Sequence, residues 1–148
     1  MYQNATNAIQ RARIRSNLTQ EALAERSGYS DDSIRAWESG ARIASLEALN
    51  KLQLAMDAPW LTGVYLAEQT NNLHDLLPEF QVGRPLAQAA ATYINAIMDL
   101  VDNKIDRKLL QLVADGKIDE TETPIFDEIL SMAEAANKAY YEMRFAQR

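Results

Sequence analysis

Along most of the chain, apolar residues return at the three- and four-residue spacing of a helix face. Residues 5–16 read as a first helix, with Ala8, Ile9 and Ala12 inward and Ala5 extending that face. Thr19 is a good N-cap for a second helix, with Gln20, Glu21 and Ala22 as its first turn. Leu18, Ala22 and Leu23 supply its stripe, and Gly28 ends it as a left-handed C-cap would. Ser30 caps a third helix, in which Ile34 and Trp37 face inward together before Gly40 terminates it. A fourth helix starts at the N-cap Ser45 and carries Leu46, Leu49, Leu52 and Met56 on one face. A short fifth helix is expected from Pro59, an acceptable first helical residue.

The periodicity then breaks. Residues 69–85, "QTNNLHDLLPEFQVGRP", hold two prolines and a glycine behind a polar start, and are expected to be a linker. A long helix over 86–104 follows, with Leu86, Ala90, Tyr93, Ile97 and Leu100 on one face. A short helix over 106–114 and a turn at "ADGKIDETE" come next. Thr123 and Pro124 open a last helix to about 145, whose shared face is Ile125, Ile129, Met132, Ala136, Tyr140 and Met143. The expectation is an all-α protein: a five-helix domain over 1–68, a linker over 69–85, and a helical region over 86–148. No internal repeat or low-complexity tract interrupts this order.

Composition supports a helical chain with a real core, since 47% of the 148 residues are apolar while only five are Gly and four Pro. The absence of cysteine excludes disulfides and thiolate metal sites and suits a reducing cytoplasm. The first residues lack the apolar run of a signal peptide, and no stretch approaches the ~18 apolar residues of a membrane span. The expected protein is therefore cytoplasmic, with no membrane partner.

Charge narrows the picture further. Residues 1–66 hold seven Lys/Arg and seven Asp/Glu, whereas 67–148 hold eight and fourteen, so the whole surplus of −6 lies in the second half. A nonspecific nucleic-acid binder would be basic, because phosphate contacts need cations. Any DNA-facing surface must be local and in the first half. Its cations are the cluster Arg11, Arg13 and Arg15, with Arg26, Arg35, Arg42 and Lys51 scattered beyond.

Two short helices joined through "SGYS" make a helix-turn-helix by their own local chemistry. The second of them should lie in the major groove while the first crosses the backbone. The longer pattern "LTQEALAERSGYSDDSIRAWESGARIASLEALNKL" resembles the lambda-repressor-like, Cro-type helix-turn-helix regulators of phages and mobile elements, over about residues 9–66. The resemblance implies a five-helix fold and a homodimeric transcriptional regulator, a repressor or an activator, whose partner is double-stranded DNA. It implies that Gln20 hydrogen-bonds a phosphate. Asp31, Asp32 and Ala36 match base-reading positions, and Ser39 and Arg42 match phosphate contacts. Arg13 and Glu38 match an internal salt bridge. With Ser30 and Arg35 on the same helix, the DNA-facing set is Gln20, Ser30, Asp31, Asp32, Arg35, Ala36, Ser39 and Arg42.

Asp31 and Asp32 depart from the residue types that serve best there. Aspartate only accepts hydrogen bonds, its one natural base partner is the cytosine amino group, and it repels phosphates. The pair therefore selects C·G base pairs, or it simply stabilises the helix start through the macrodipole, by ~0.3–1 kcal/mol each. Arg35, one turn along, pairs with these carboxylates or reaches a phosphate. A dimer would compensate for weak half-site contacts. A different class remains open: a helix-turn-helix reused as a protein-interaction module, like an antirepressor or antitoxin partner.

The two long helices need partners for their apolar stripes, and a hairpin that also dimerises is the favoured arrangement. Through "LLQLVADGKIDETETPIFDEIL" the tail is loosely similar to C-terminal regions of some phage regulatory proteins, which names no activity. Within it, Asp115, Gly116, Ile118, Asp119 and Glu122 follow the back half of a calcium loop. Gln111 and Val113 stand where front-half oxygen ligands belong, so the stretch reads as a helix-ending Gly116 followed by an acidic first turn. His74, the only histidine, reads as a linker residue. Trp37 reads as core and Trp60 as packing for the fifth helix, while Tyr140 and Tyr141 suit either core or interface. No metal or cofactor is expected, and no catalytic constellation marks an enzyme.

Overall fold

The computed structural model describes residues 7–70 and 78–147. Ala5 and His74 lie outside the described residues. The described chain is all-helical, in the order α1 (Ala8–Arg15), α2 (Gln20–Ser27), α3 (Asp31–Glu38), α4 (Leu46–Ala55), α5 (Leu61–Gln69), α6 (Leu86–Asp102), α7 (Ile105–Leu112) and α8 (Thr123–Arg144). It divides into two compact units, Met1–Leu77 and Pro78–Arg148.

In the first unit, side-chain acceptors start four of the helices. Asn7, Thr19, Ser30 and Ser45 accept from the backbone N–H of Gln10, Ala22, Ser33 and Ala48, at 3.1–3.2 Å. Gly28 closes α2 at φ 75°, a left-handed conformation that costs glycine nothing. Ile9, Leu23, Ile34, Leu49, Leu52, Leu61 and Tyr65 are fully buried, and the Tyr65 hydroxyl accepts from the Ala44 amide at 3.1 Å.

Two expectations are corrected here. Leu46 is exposed, not inward, because the buried stripe of α4 centres between Leu49 and Leu52; Ala48 takes the inner place. Pro59 does not open α5: it lies in a turn, Leu61 donates to the Ala58 carbonyl at 2.9 Å, and the buried Trp60 stands at the N-cap position.

In the second unit, α6 and α8 pack as an antiparallel pair. Gly83, just before α6, donates to the Phe145 carbonyl at 2.8 Å, and Gln147 donates back to the Arg84 carbonyl at 3.0 Å. Residues 78–85, expected as linker, are thus part of this unit. Phe80 stacks on Tyr141 and Phe145, with ring centroids 5.1 and 5.8 Å apart. Arg84 forms an ion pair with Glu142, which is buried and also accepts from the Gln81 amide. Neither Arg84 nor Glu142 stood out in the sequence.

Further corrections concern which side chains face inward. Ile105, Leu112 and Ile129 form a cluster under α7, joined by Leu100, Leu109, Phe126 and Met132. Leu86, Ile125 and Tyr140 are exposed, while Ala89, Ala139 and Glu142 are buried in α6 and α8. Leu86 and Ile125 stand in the first turns of their helices. Tyr140 keeps its polar tip outward, where its hydroxyl accepts from Arg144 at 3.0 Å. The stretch compared with a calcium loop acts as a turn: Asp119 Oδ1 accepts from the amides of Thr121 and Glu122, at 2.8 and 2.9 Å.

Candidate nucleic-acid interface

The geometry of α3 follows from one buried ion pair and one aromatic pair. Glu38 ends the helix pointing inward. Arg13 of α1 meets it twice, Nε to Oε1 at 2.6 Å and Nη2 to Oε2 at 3.0 Å, and a third Arg13 nitrogen donates to the Leu18 carbonyl at 2.9 Å. Gln20 Nε2 adds a bond to Glu38 Oε2 at 2.8 Å. One carboxylate therefore ties α1, the start of α2 and the end of α3 together. Trp37 is buried beside it, meeting Tyr29 edge-on at 4.9 Å, and Asn7 donates to its carbonyl at 2.6 Å.

With Ile34, Trp37 and Glu38 inward, the other face of α3 is set. Asp32, Arg35 and Ser39 are exposed, while Asp31, Ser33 and Ala36 are half-buried. Ser30 is committed to capping, and its hydroxyl also bonds that of Ser33 at 3.0 Å. Ser39 donates to the Ala36 carbonyl at 3.3 Å. Asp31 and Asp32 occupy the first turn, where the helix dipole favours carboxylates.

The cations are placed differently from a free basic surface. Arg35 pairs with Glu21 of α2 at 3.5 Å, not with Asp31 or Asp32. This contact helps hold the Glu21 carboxyl below its ordinary range, after its own backbone and the Thr19 hydroxyl. Arg42 lies with its guanidinium over the Trp37 ring, 5.5 Å from the centroid. Lys51 sits over Tyr29 at 5.3 Å and bonds Glu47 at 3.0 Å, which raises its pKa through Glu47 first and Tyr29 second. Of the arginine cluster, Arg11 pairs with Glu68 and Arg13 with Glu38, so both serve the fold.

Tyr29 was not singled out from sequence, and Glu21 and Lys51 were read only as a first-turn residue and a scattered cation. Glu21 carries the partner of Arg35, and Tyr29 and Lys51 extend the aromatic and cationic edge beyond α3. An aromatic residue in the turn, Tyr29, and a second late in α3, Trp37, with a lysine or arginine downstream of each, are the sequence signal for this edge.

The geometry assembles two short helices, α2 and α3, joined by a tight turn and followed by a loop. Residues 9–60 match the family model described as Helix-turn-helix. This part of the chain is a lambda-repressor-like helix-turn-helix domain. The match covers most of the first unit and none of the second. Comparison with the curated proteins and with the solved structures gave no match. Among the described residues, no helix is long and apolar enough to cross a membrane, and no group of three or more His, Asp or Glu side chains is placed to hold a metal ion.

Proposed function

We propose that the protein is a cytoplasmic, sequence-specific DNA-binding transcriptional regulator, a repressor of phage or mobile-element type. It acts as a homodimer on a palindromic operator, with half-sites about one helical turn apart. The observation that carries this reading is the Arg13–Glu38–Gln20 network, which fixes the recognition helix while leaving Asp32, Arg35 and Ser39 exposed. In this reading Gln20 still has a second amide hydrogen for a phosphate. Arg42, preorganised on Trp37, and Ser39 contact the backbone beyond α3. Ser30, Asp31 and Ala36 line the groove around Asp32, which accepts from the amino group of a cytosine. Chemistry is not part of the role: the helix-turn-helix binds and does not catalyse.

One observation favours a second reading, a protein-interaction module with little DNA affinity. Glu21 occupies Arg35, and across residues 19–51 six acidic side chains face four basic ones. Selection from a randomised duplex library, at low and then at higher salt, separates the two. An enriched inverted repeat whose retention falls steeply with salt supports the operator reading. No enrichment at any salt overturns it and leaves the protein-interaction module.

A further inference from the structure

Helix α6 is apolar on two opposite sides. Its inner side, with Ala89, Tyr93, Ala96 and Leu100, packs towards α8. Its outer side carries Ala87, Ala91, Ile94, Met98 and Val101, at spacings of four, three, four and three, so they form one stripe down the helix. All five are exposed; Ile94 is 59%, Met98 48% and Val101 60% accessible. Residues 86–98 contain no charged side chain. The outer face of α8 differs, being wetted by Asp127, Glu128, Glu134 and Lys138. An exposed apolar stripe running the length of a helix marks an interaction surface, so the outer face of α6 calls for a cover that α8 does not need.

We propose that this face is covered by α6 of a second copy of the chain, running antiparallel across a two-fold axis at Ile94. This inference rests on the homodimeric reading above and names its seam. Three features select a second copy as the occupant. The stripe is graded in size, small at the start (Ala87, Ala91) and large towards the end (Ile94, Met98, Val101). Antiparallel pairing seats each Met98 on the partner helix's small position 91 and each Val101 near its small position 87; parallel pairing would set large on large and leave small facing small. Ile94 is the middle residue of Leu86–Asp102, so the whole helix is used. Finally, α6 starts without a side-chain cap, and its only charges, Asp99 and Asp102, lie at its far end. Antiparallel pairing brings those carboxylates to the positive, uncapped start of the other helix. The interface is isologous, as a two-fold dimer requires.

Sedimentation equilibrium of the full chain tests this, with Ile94→Glu as the first variant. Its side chain is exposed in the single chain, so the fold should survive, which circular dichroism checks. The wild type is expected to be a dimer, and the variant's dissociation constant to rise about a hundredfold, because two like charges meet at the axis. Ala91→Glu and Met98→Lys should each weaken the dimer, and together restore it, since the introduced carboxylate and ammonium then face each other across the antiparallel pair. A monomeric wild type sinks both the homodimeric reading and this seam. A dimeric wild type that stays dimeric as Ile94→Glu overturns the α6 assignment alone. Failure of the charge pair to restore association overturns the antiparallel register.

Discussion

Glu38 and Arg13 meet through two parallel hydrogen bonds at 2.6 and 3.0 Å, with only 3% and 13% of their side chains accessible. A buried pair of this kind contributes little beyond an apolar substitute, but removing one partner strands the other. Glu38→Ala leaves Arg13 uncompensated and deprives Gln20 of its acceptor. The expected loss is about 3–5 kcal/mol of stability in the first unit. Urea unfolding followed by the fluorescence of Trp37 and Trp60, both buried in the first unit, reads it directly. A loss below about 1 kcal/mol would mean that α3 is held by Ile34 and Trp37 packing alone.

The contact between Glu21 and Arg35 makes a separate prediction for DNA affinity. Glu21→Gln removes an exposed acidic group from the helix-turn-helix and releases Arg35. Operator affinity should rise, and the slope of log K against log salt should steepen by about 0.9, the value of one added phosphate contact on duplex DNA. Arg35→Ala should lower affinity without steepening the slope. Fluorescence anisotropy across a salt series measures both.

Much of the first unit is readable because its signals are local. Thr19, Ser30 and Ser45 each reach an amide three residues on, and Gly28 sits where only a left-handed residue closes the turn, so spacing alone exposes these boundaries. Leu46 shows where periodicity fails: at a helix start one residue can belong to either edge of the stripe, and tertiary packing chose Ala48. Contacts between distant residues left no local trace. Phe80 stacking on Tyr141, Gln81 bonding Glu142 and Arg84 pairing with Glu142 turned an apparent linker into part of a unit. Around α3 the exposed positions are legible from the inward spacing of Ile34 and Trp37. The partner of Arg35 is not, because Glu21 lies on another helix.

Asp32 makes the specificity prediction. It is exposed at the start of α3 and can only accept hydrogen bonds. Asp32→Asn gives the same position a donor as well, and an Asn can bond adenine twice in the major groove. The base favoured at the facing position should move from cytosine to adenine, with discrimination of about 1–3 kcal/mol. Library selection with both proteins tests this, and identical recovered sites would remove Asp32 from the reading surface.

Glu142 holds the segment before α6 onto α8 through Arg84 and the Gln81 amide. Glu142→Ala leaves a half-buried guanidinium and a backbone donor without their acceptor. The second unit should lose about 3–5 kcal/mol, as for other broken buried pairs. Hydrogen exchange should show the largest loss of protection at Gly83 and Gln147, whose amides close the antiparallel pair. Unchanged protection there would show that the Phe80, Tyr141 and Phe145 stack suffices.

Asp119 gives the pH dependence. The Thr121 hydroxyl, then the amides of Glu122 and Thr121, hold its carboxyl below the ordinary value of 3.8. A carboxyl lowered on folding adds stability that is fully present above its unfolded pKa and is lost as pH falls through the folded one. Asp119→Ala should therefore be less stable than the wild type at neutral pH, and the gap should close on acidification below about 4. NMR titration of the Asp119 carboxyl should give a midpoint below 3.8. No gap at any pH would mean that the turn before α8 depends on the backbone of Asp119, whose carbonyl accepts from Thr123, and not on its charge.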